Sequence, residues 1–152
     1  MRSEGKRDTL KELLEVLDSY EDEGLEFTKE LIATDSANPP GDEREVAQMV
    51  VDRLRDLGID EVRAVGPEEE RPSVLAEVEG AQSGASLILS GHIDTKPAGD
   101  LTAWDTDPWD PVVSEGRLYG LGSGDMKAAV AAMTYAAASL KKVGLPAGTL
   151  KL

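Results

Sequence analysis

The chain has no cysteine and only one histidine among its 152 residues. Without thiols, disulfides, thiolate zinc sites and thiol catalysis are excluded. Bases are scarce too: 16 Lys and Arg stand against 30 Asp and Glu, a formal charge of -14. Phosphate binding needs clustered cations, and with no basic stripe nucleic acid is excluded as a partner. The acidic residues (Glu12, Glu15, Asp18, Glu21, Asp22, Asp42, Glu43, Glu68, Glu69, Glu70) are spread along the chain and form no tail. Such a field favours solubility against self-repulsion, a balance expected of a salt-loving source. Long apolar runs are also missing. The stretch 128–140 is mostly alanine and too short for a hydrocarbon core of about 30 Å. The start, MRSEGKRDTLKELLEVL, puts charges where a signal peptide needs an apolar centre. A soluble, cytoplasmic protein without a membrane partner is expected.

What is present reads as one domain, long enough to bury about two thirds of its unfolded surface. Residues 8–34 carry Leu10, Leu13, Leu14, Leu17, Leu25, Phe27, Leu31 and Ile32 at helical spacing, predicting two helices that meet near Gly24. Ala37-Asn38-Pro39-Pro40-Gly41 is a stiff loop. Asp42, with Glu45 as capping-box partner, should open a helix lined by Val46, Val50, Leu54 and Leu57 and stopped by Gly58. Strands are predicted over 61–65, 73–78, 87–89 and 149–152. A small hairpin should fold about Ser114-Glu115-Gly116, and a helix should span 125–143. Alternating helices and strands predict an α/β fold, with the 125–143 helix as a right-handed crossover between two strands. We expect three αβα layers around a mostly parallel mixed sheet covered on both faces.

The lone His92 lies just beyond the buried strand expected at 87–89, in SGHIDTKPAGD. Ligands of open α/β sheets collect at that end of the strands. If the extended geometry continues, His92 and Asp94 point to one side, and a carboxylate can fix the tautomer of a metal-binding imidazole. A hydrogen-bonded structural histidine is the plainer alternative. A second stretch, GLGSGDMK, brings Asp125 to an expected helix start. There it is either an oxygen ligand favoured by the macrodipole or a simple N-cap. The glycine-rich turn lacks the spacing and Lys-Ser/Thr ending of a phosphate loop. Trp104 and Trp109 read as loop anchors, and Lys96 and Lys127 as solvated charges.

Taken together, GHIDTKPAGD followed by WDTDPWDPVVSEGRLYGLGSGDMKAA resembles the zinc metallohydrolase family of acetylornithine deacetylase, succinyl-diaminopimelate desuccinylase, aminoacylase and glutamate carboxypeptidase. The likeness is dense over 87–129, and Ser36-x-Asn38-Pro39-Pro40-Gly41 fits more loosely. Two positions depart from the family pattern: Leu121 stands where arginine is usual, and Lys96 where valine is common. The resemblance implies a zinc-exopeptidase-like catalytic domain. His92 would bind one of two Zn2+ ions (cobalt or manganese are alternatives), Asp125 would bridge both, and Asp94 would be the active-site acidic residue. The implied substrate is an N-acylated amino acid or short peptide, hydrolysed at an amide bond.

The family's Glu-Glu pair, its remaining ligands and its lid or dimerisation domain have no counterpart in residues 1–152. The chain is therefore expected to be the amino-terminal portion of the catalytic domain, truncated and inactive by itself. A complementing chain carrying the missing ligands, or a homodimer as in the full-length family, is the expected protein partner. The alternatives are a non-catalytic α/β binding or regulatory module, or one half of a split enzyme.

Overall fold

The computed structural model describes residues 2–152. Two helices, α1 (Arg2–Asp18) and α2 (Glu21–Ala33), open the chain. They part at Ser19 and Tyr20, not at Gly24, which lies inside α2. A Cβ on Gly24 would sit 3.4 Å from the Tyr135 ring, so this glycine serves close helix packing and breaks nothing. The apolar spacing of α1 is helical, yet Leu10, Leu14 and Leu17 remain exposed. In α2 the spacing buries Phe27, Leu31 and Ile32.

Helix α3 spans Arg44–Asp56. The anticipated capping box does not form. Its N-cap is Glu43, without a side-chain cap bond, because the Asp42 carboxylate instead accepts bonds from the backbone and guanidinium of Arg44. The buried face is the expected one, Val46, Val50 and Leu54 joined by Ala47 and Val51, while Leu57 is half-buried. Gly58, at φ +83°, supplies the left-handed stop.

Six strands follow the outline of the apolar runs: β1 (Val62–Val65), β2 (Ser73–Glu79), β3 (Ser86–Ile88), β4 (Val112–Ser114), β5 (Arg117–Tyr119) and β6 (Thr149–Lys151). The main sheet has the order β1-β2-β6-β3. It is mixed, as expected, but its parallel pairing is confined to β3 with β6; β1 with β2 and β2 with β6 are antiparallel. The crossover helix α4 (Ala128–Val143) joins β3 to β6.

The core gathers Phe27 and Leu31 of α2, Val50 and Leu54 of α3, and Val130 and Tyr135 of α4 over Ala76, Val78 and Leu150 of the sheet. The sheet's other face is open, contrary to the expected cover on both. There Glu77 sits opposite Lys151 and pairs with it at 3.2 Å, near the exposed Leu75 and Ile88. The alternation Ala76-Glu77-Val78-Glu79 explains this, since one side of β2 is apolar and the other charged. The expectation of a buried strand at 87–89 is corrected as well. β3 is an edge strand, with Leu87 and Ile88 exposed.

Beyond β3 the chain runs against the segment that leaves α2. Thr95 N–H donates to the Ser36 carbonyl, Asn38 N–H donates to the Thr95 carbonyl, and the Ser36 hydroxyl donates to the Ile93 carbonyl. Trp104 anchors the following loop as foreseen, its indole N–H donating to the Ala98 carbonyl at 2.9 Å. The β4–β5 hairpin turns through Glu115 and Gly116, both at positive φ, the pattern of a two-residue type I′ turn.

Candidate metal centre

His92 stands four positions past the end of β3, and its two ring nitrogens face two different carboxylates. Nδ1 lies 3.0 Å from Asp94 Oδ1 and 3.0 Å from the Asp94 carbonyl. Nε2 lies 2.8 Å from Oδ1 of Asp125, 33 residues away in the chain. The same-side placement of His92 and Asp94 therefore holds, and the fold brings together all three residues singled out in the sequence.

Asp125 arrives by a different route from the one expected. Helix α4 begins only at Ala128; Asp125, at φ −144° and ψ 87°, and Met126 are non-helical. Asp125 thus caps no helix, and the macrodipole argument lapses. An extended kink carries its carboxylate to the imidazole. The kink needs Gly122, which has φ +78° and would drive a Cβ to 2.5 Å from Thr95 Cγ2. Met126 packs beneath the histidine loop, its sulfur 3.4 Å from the His92 amide.

The electrostatics follow the contacts. The hydrogen bond to Asp125 raises the His92 pKa above 6.5, partial burial opposes this, and the Asp94 carbonyl and both carboxylate charges add to it. Asp94 is held below the ordinary carboxylate value, first by Asn38, whose Nδ2 donates to Asp94 Oδ2 at 3.0 Å, and also by the His92 charge, against desolvation. Asn38 was not singled out for the site, although it stands in the stiff Pro-Pro loop.

Lys96 is exposed as expected, but Lys127 is only 2% exposed, which overturns its reading as a solvated charge. Burial lowers its pKa to about 8, with Asp35 opposing.

The imidazole Nε2 and an exposed carboxylate converge, and the other ring nitrogen is held by Asp94. That is the usual arrangement of a metal-binding histidine with its orienting acid. The donor chemistry fits a divalent cation in part. Zinc generally takes four ligands, and among the described residues no group of three or more His, Cys, Asp or Glu could hold a metal. A cavity of about 800 Å³ borders His92 and Asp94, with Val50, Leu54, Val130 and Met133 forming apolar parts of its wall. Asp125, 87% exposed at its side chain, faces solvent rather than this cavity. No helix among the described residues is long and apolar enough to cross a membrane.

Residues 88–152 match Peptidase family M20/M25/M40. Succinyl-diaminopimelate desuccinylase of Leptothrix cholodnii is 38% identical over 115 residues, 74% of this chain and 29% of that protein. The Rhodospirillum centenum desuccinylase is 46% identical over 70 residues, 45% of this chain and 18% of that protein. The chain thus spans under a third of the length of these curated relatives. Human carnosine dipeptidase 1 superposes with a TM-score of 0.74 at 29% identity, over 93% of this chain and 33% of that one. The M20 family metallo-carboxypeptidase Sso-CP2 from Sulfolobus solfataricus gives 0.72 at 25% identity, over 86% and 30%. The family match is confined to residues 88–152, and the likeness to solved M20 structures extends over the rest of the fold.

Proposed function

We propose that this chain forms part of the catalytic domain of a cytoplasmic, metal-dependent amide hydrolase, and that His92 and Asp125 are two of its metal ligands. The observation that carries the reading is the 2.8 Å approach of His92 Nε2 to Asp125 Oδ1 while Asp94 engages Nδ1. A divalent cation, zinc by family resemblance, would supply Lewis acidity toward an amide carbonyl.

The chain's own residues have distinct tasks. Asp94 accepts the Nδ1 proton, which fixes the tautomer and leaves the Nε2 lone pair free to donate to a cation. Asn38 holds Asp94 in place and keeps it ionised. Asp125 contributes an anionic oxygen from the opposite side, and a second metal would share it as a bridge. Neither His92 nor Asp125 is placed to act as general base once committed to a cation, so that base and the remaining ligands belong to residues outside this set. Two relatives are desuccinylases and a third is a dipeptidase. The substrate class is accordingly an N-acyl amino acid or dipeptide.

The test follows the single imidazole by nuclear magnetic resonance while Zn2+ is added. A metal-induced change at Nε2 that disappears in Asp125→Ala is expected. Metal uptake that leaves Nε2 unchanged, or that survives in Asp125→Ala, would overturn the assignment.

A further inference from the structure

Lys127 is buried against the end of α2. Its Nζ donates to the carbonyl oxygens of Leu31 at 2.6 Å and Thr34 at 2.7 Å. These belong to the last turn of α2 and its C-cap residue, the end where the helix dipole favours a cation. Among the described residues no carboxylate lies within ion-pair distance of the ammonium; backbone carbonyls hold it. Its own N–H donates to the Gly122 carbonyl at 2.9 Å, closing the turn in which Asp125 sits. The Asp125 carboxylate, by contrast, shows no bond among the described residues except the one to His92.

The far side of the site is tied to the same stretch of chain. Ser36 bonds to Ile93 and Thr95, and Asn38 bonds to Thr95 and Asp94. Residues 34–38 therefore touch both halves, the histidine loop through Ser36 and Asn38 and the aspartate turn through the Thr34 carbonyl. We propose that Lys127 is a positioning residue: its ammonium, bolted to the end of α2, registers the Ser123–Lys127 turn against the histidine loop so that Asp125 meets His92. Calling the result a metal centre rests on the function proposed above; the positioning itself does not.

The chain has no native thiol, so Lys127→Cys creates a unique one, and alkylation with 2-bromoethylamine in denaturant followed by refolding restores an ammonium at nearly the original length. The readout is the titration midpoint of the lone imidazole in metal-free protein. Lys127→Met and unalkylated Lys127→Cys should lower the midpoint toward that of Asp125→Ala, and aminoethylation should return it. Thr134→Val, a buried change elsewhere in α4, should lower the melting temperature without moving the imidazole. If the Lys127 variants melt early but titrate like wild type, the residue is merely structural and the proposal fails.

Amide exchange of the unaltered protein gives a second test that needs no variant. The Lys127, Thr95 and Asn38 amides should open together in mild urea, and independent opening of Lys127 overturns the proposal. Both readouts are taken without metal, so they stand or fall independently of the proposed function.

Discussion

The two carboxylates flanking His92 are chemically the same group in opposite circumstances. Asp94 is largely covered, at 25% side-chain exposure, and its second oxygen is occupied by Asn38. Asp125 is 87% exposed and, among the described residues, bonds only to the imidazole. A carboxylate whose oxygens are both engaged can orient a neighbour but has little left for a cation. A carboxylate facing solvent keeps its lone pairs available. The fold thus separates a fully engaged acid from one with open lone pairs by hydrogen-bond supply, on either side of one ring.

Substitutions can break or sharpen that contrast. Asp125→Ala should have the largest effect, abolishing the metal response at Nε2 and returning the metal-free imidazole midpoint toward 6.5, since its hydrogen bond is the leading cause of the rise. Asp94→Asn should weaken metal affinity by about 10–100-fold, the usual cost of losing a supporting partner. Calorimetric titration would check it. A larger loss there than in Asp125→Ala would reverse the roles. Asn38→Ala should remove about 1 kcal/mol of stability and let the Asp94 pKa rise toward the ordinary carboxylate value. Urea midpoints and carbon-detected carboxyl titration would read the two effects.

The smallest effect is in pH dependence. Asp94 is depressed in the fold, so its stabilisation is present above its unfolded value of 3.8 and fades as pH falls through the lower folded value. His92 is raised, so its contribution is full below 6.5 and fades as pH rises through the higher folded value. Its side chain is 45% exposed, and solvent screening keeps this contribution modest. The metal-free protein should therefore exceed His92→Gln in urea midpoint by more at about pH 5.5 than at about pH 9. An equal margin at both would mean that the two carboxylates do not hold an imidazolium.

The parts of the molecule legible in the sequence are those governed by local pattern. The α3 face, the strand positions and the hairpin follow from periodicity and turn chemistry. His92 and Asp94 share a side because extended residues two apart do so. Other readings failed where a long-range contact decided the outcome. Gly24 looks like a helix break until Tyr135 is packed on it. Lys127 looks solvated until the end of α2 closes over it. Asp125 resembles a helix cap because nothing local announces the kink at Asp125 and Met126. The open sheet face is legible in the charged half of β2, whereas the alternation of helices and strands alone suggests cover on both faces.

The edge position of β3 carries a consequence for handling the protein. Leu87 and Ile88 lie beside a row of backbone groups with no strand alongside on the outer edge, and such rows recruit other chains. Mutual repulsion between copies, each at a formal charge of -14, is the guard against this pairing, and dissolved salt thins it over a distance of about 3 Å at 1 M. Light scattering should therefore grow with ionic strength and protein concentration together. A lysine placed at Ile88 should suppress that growth.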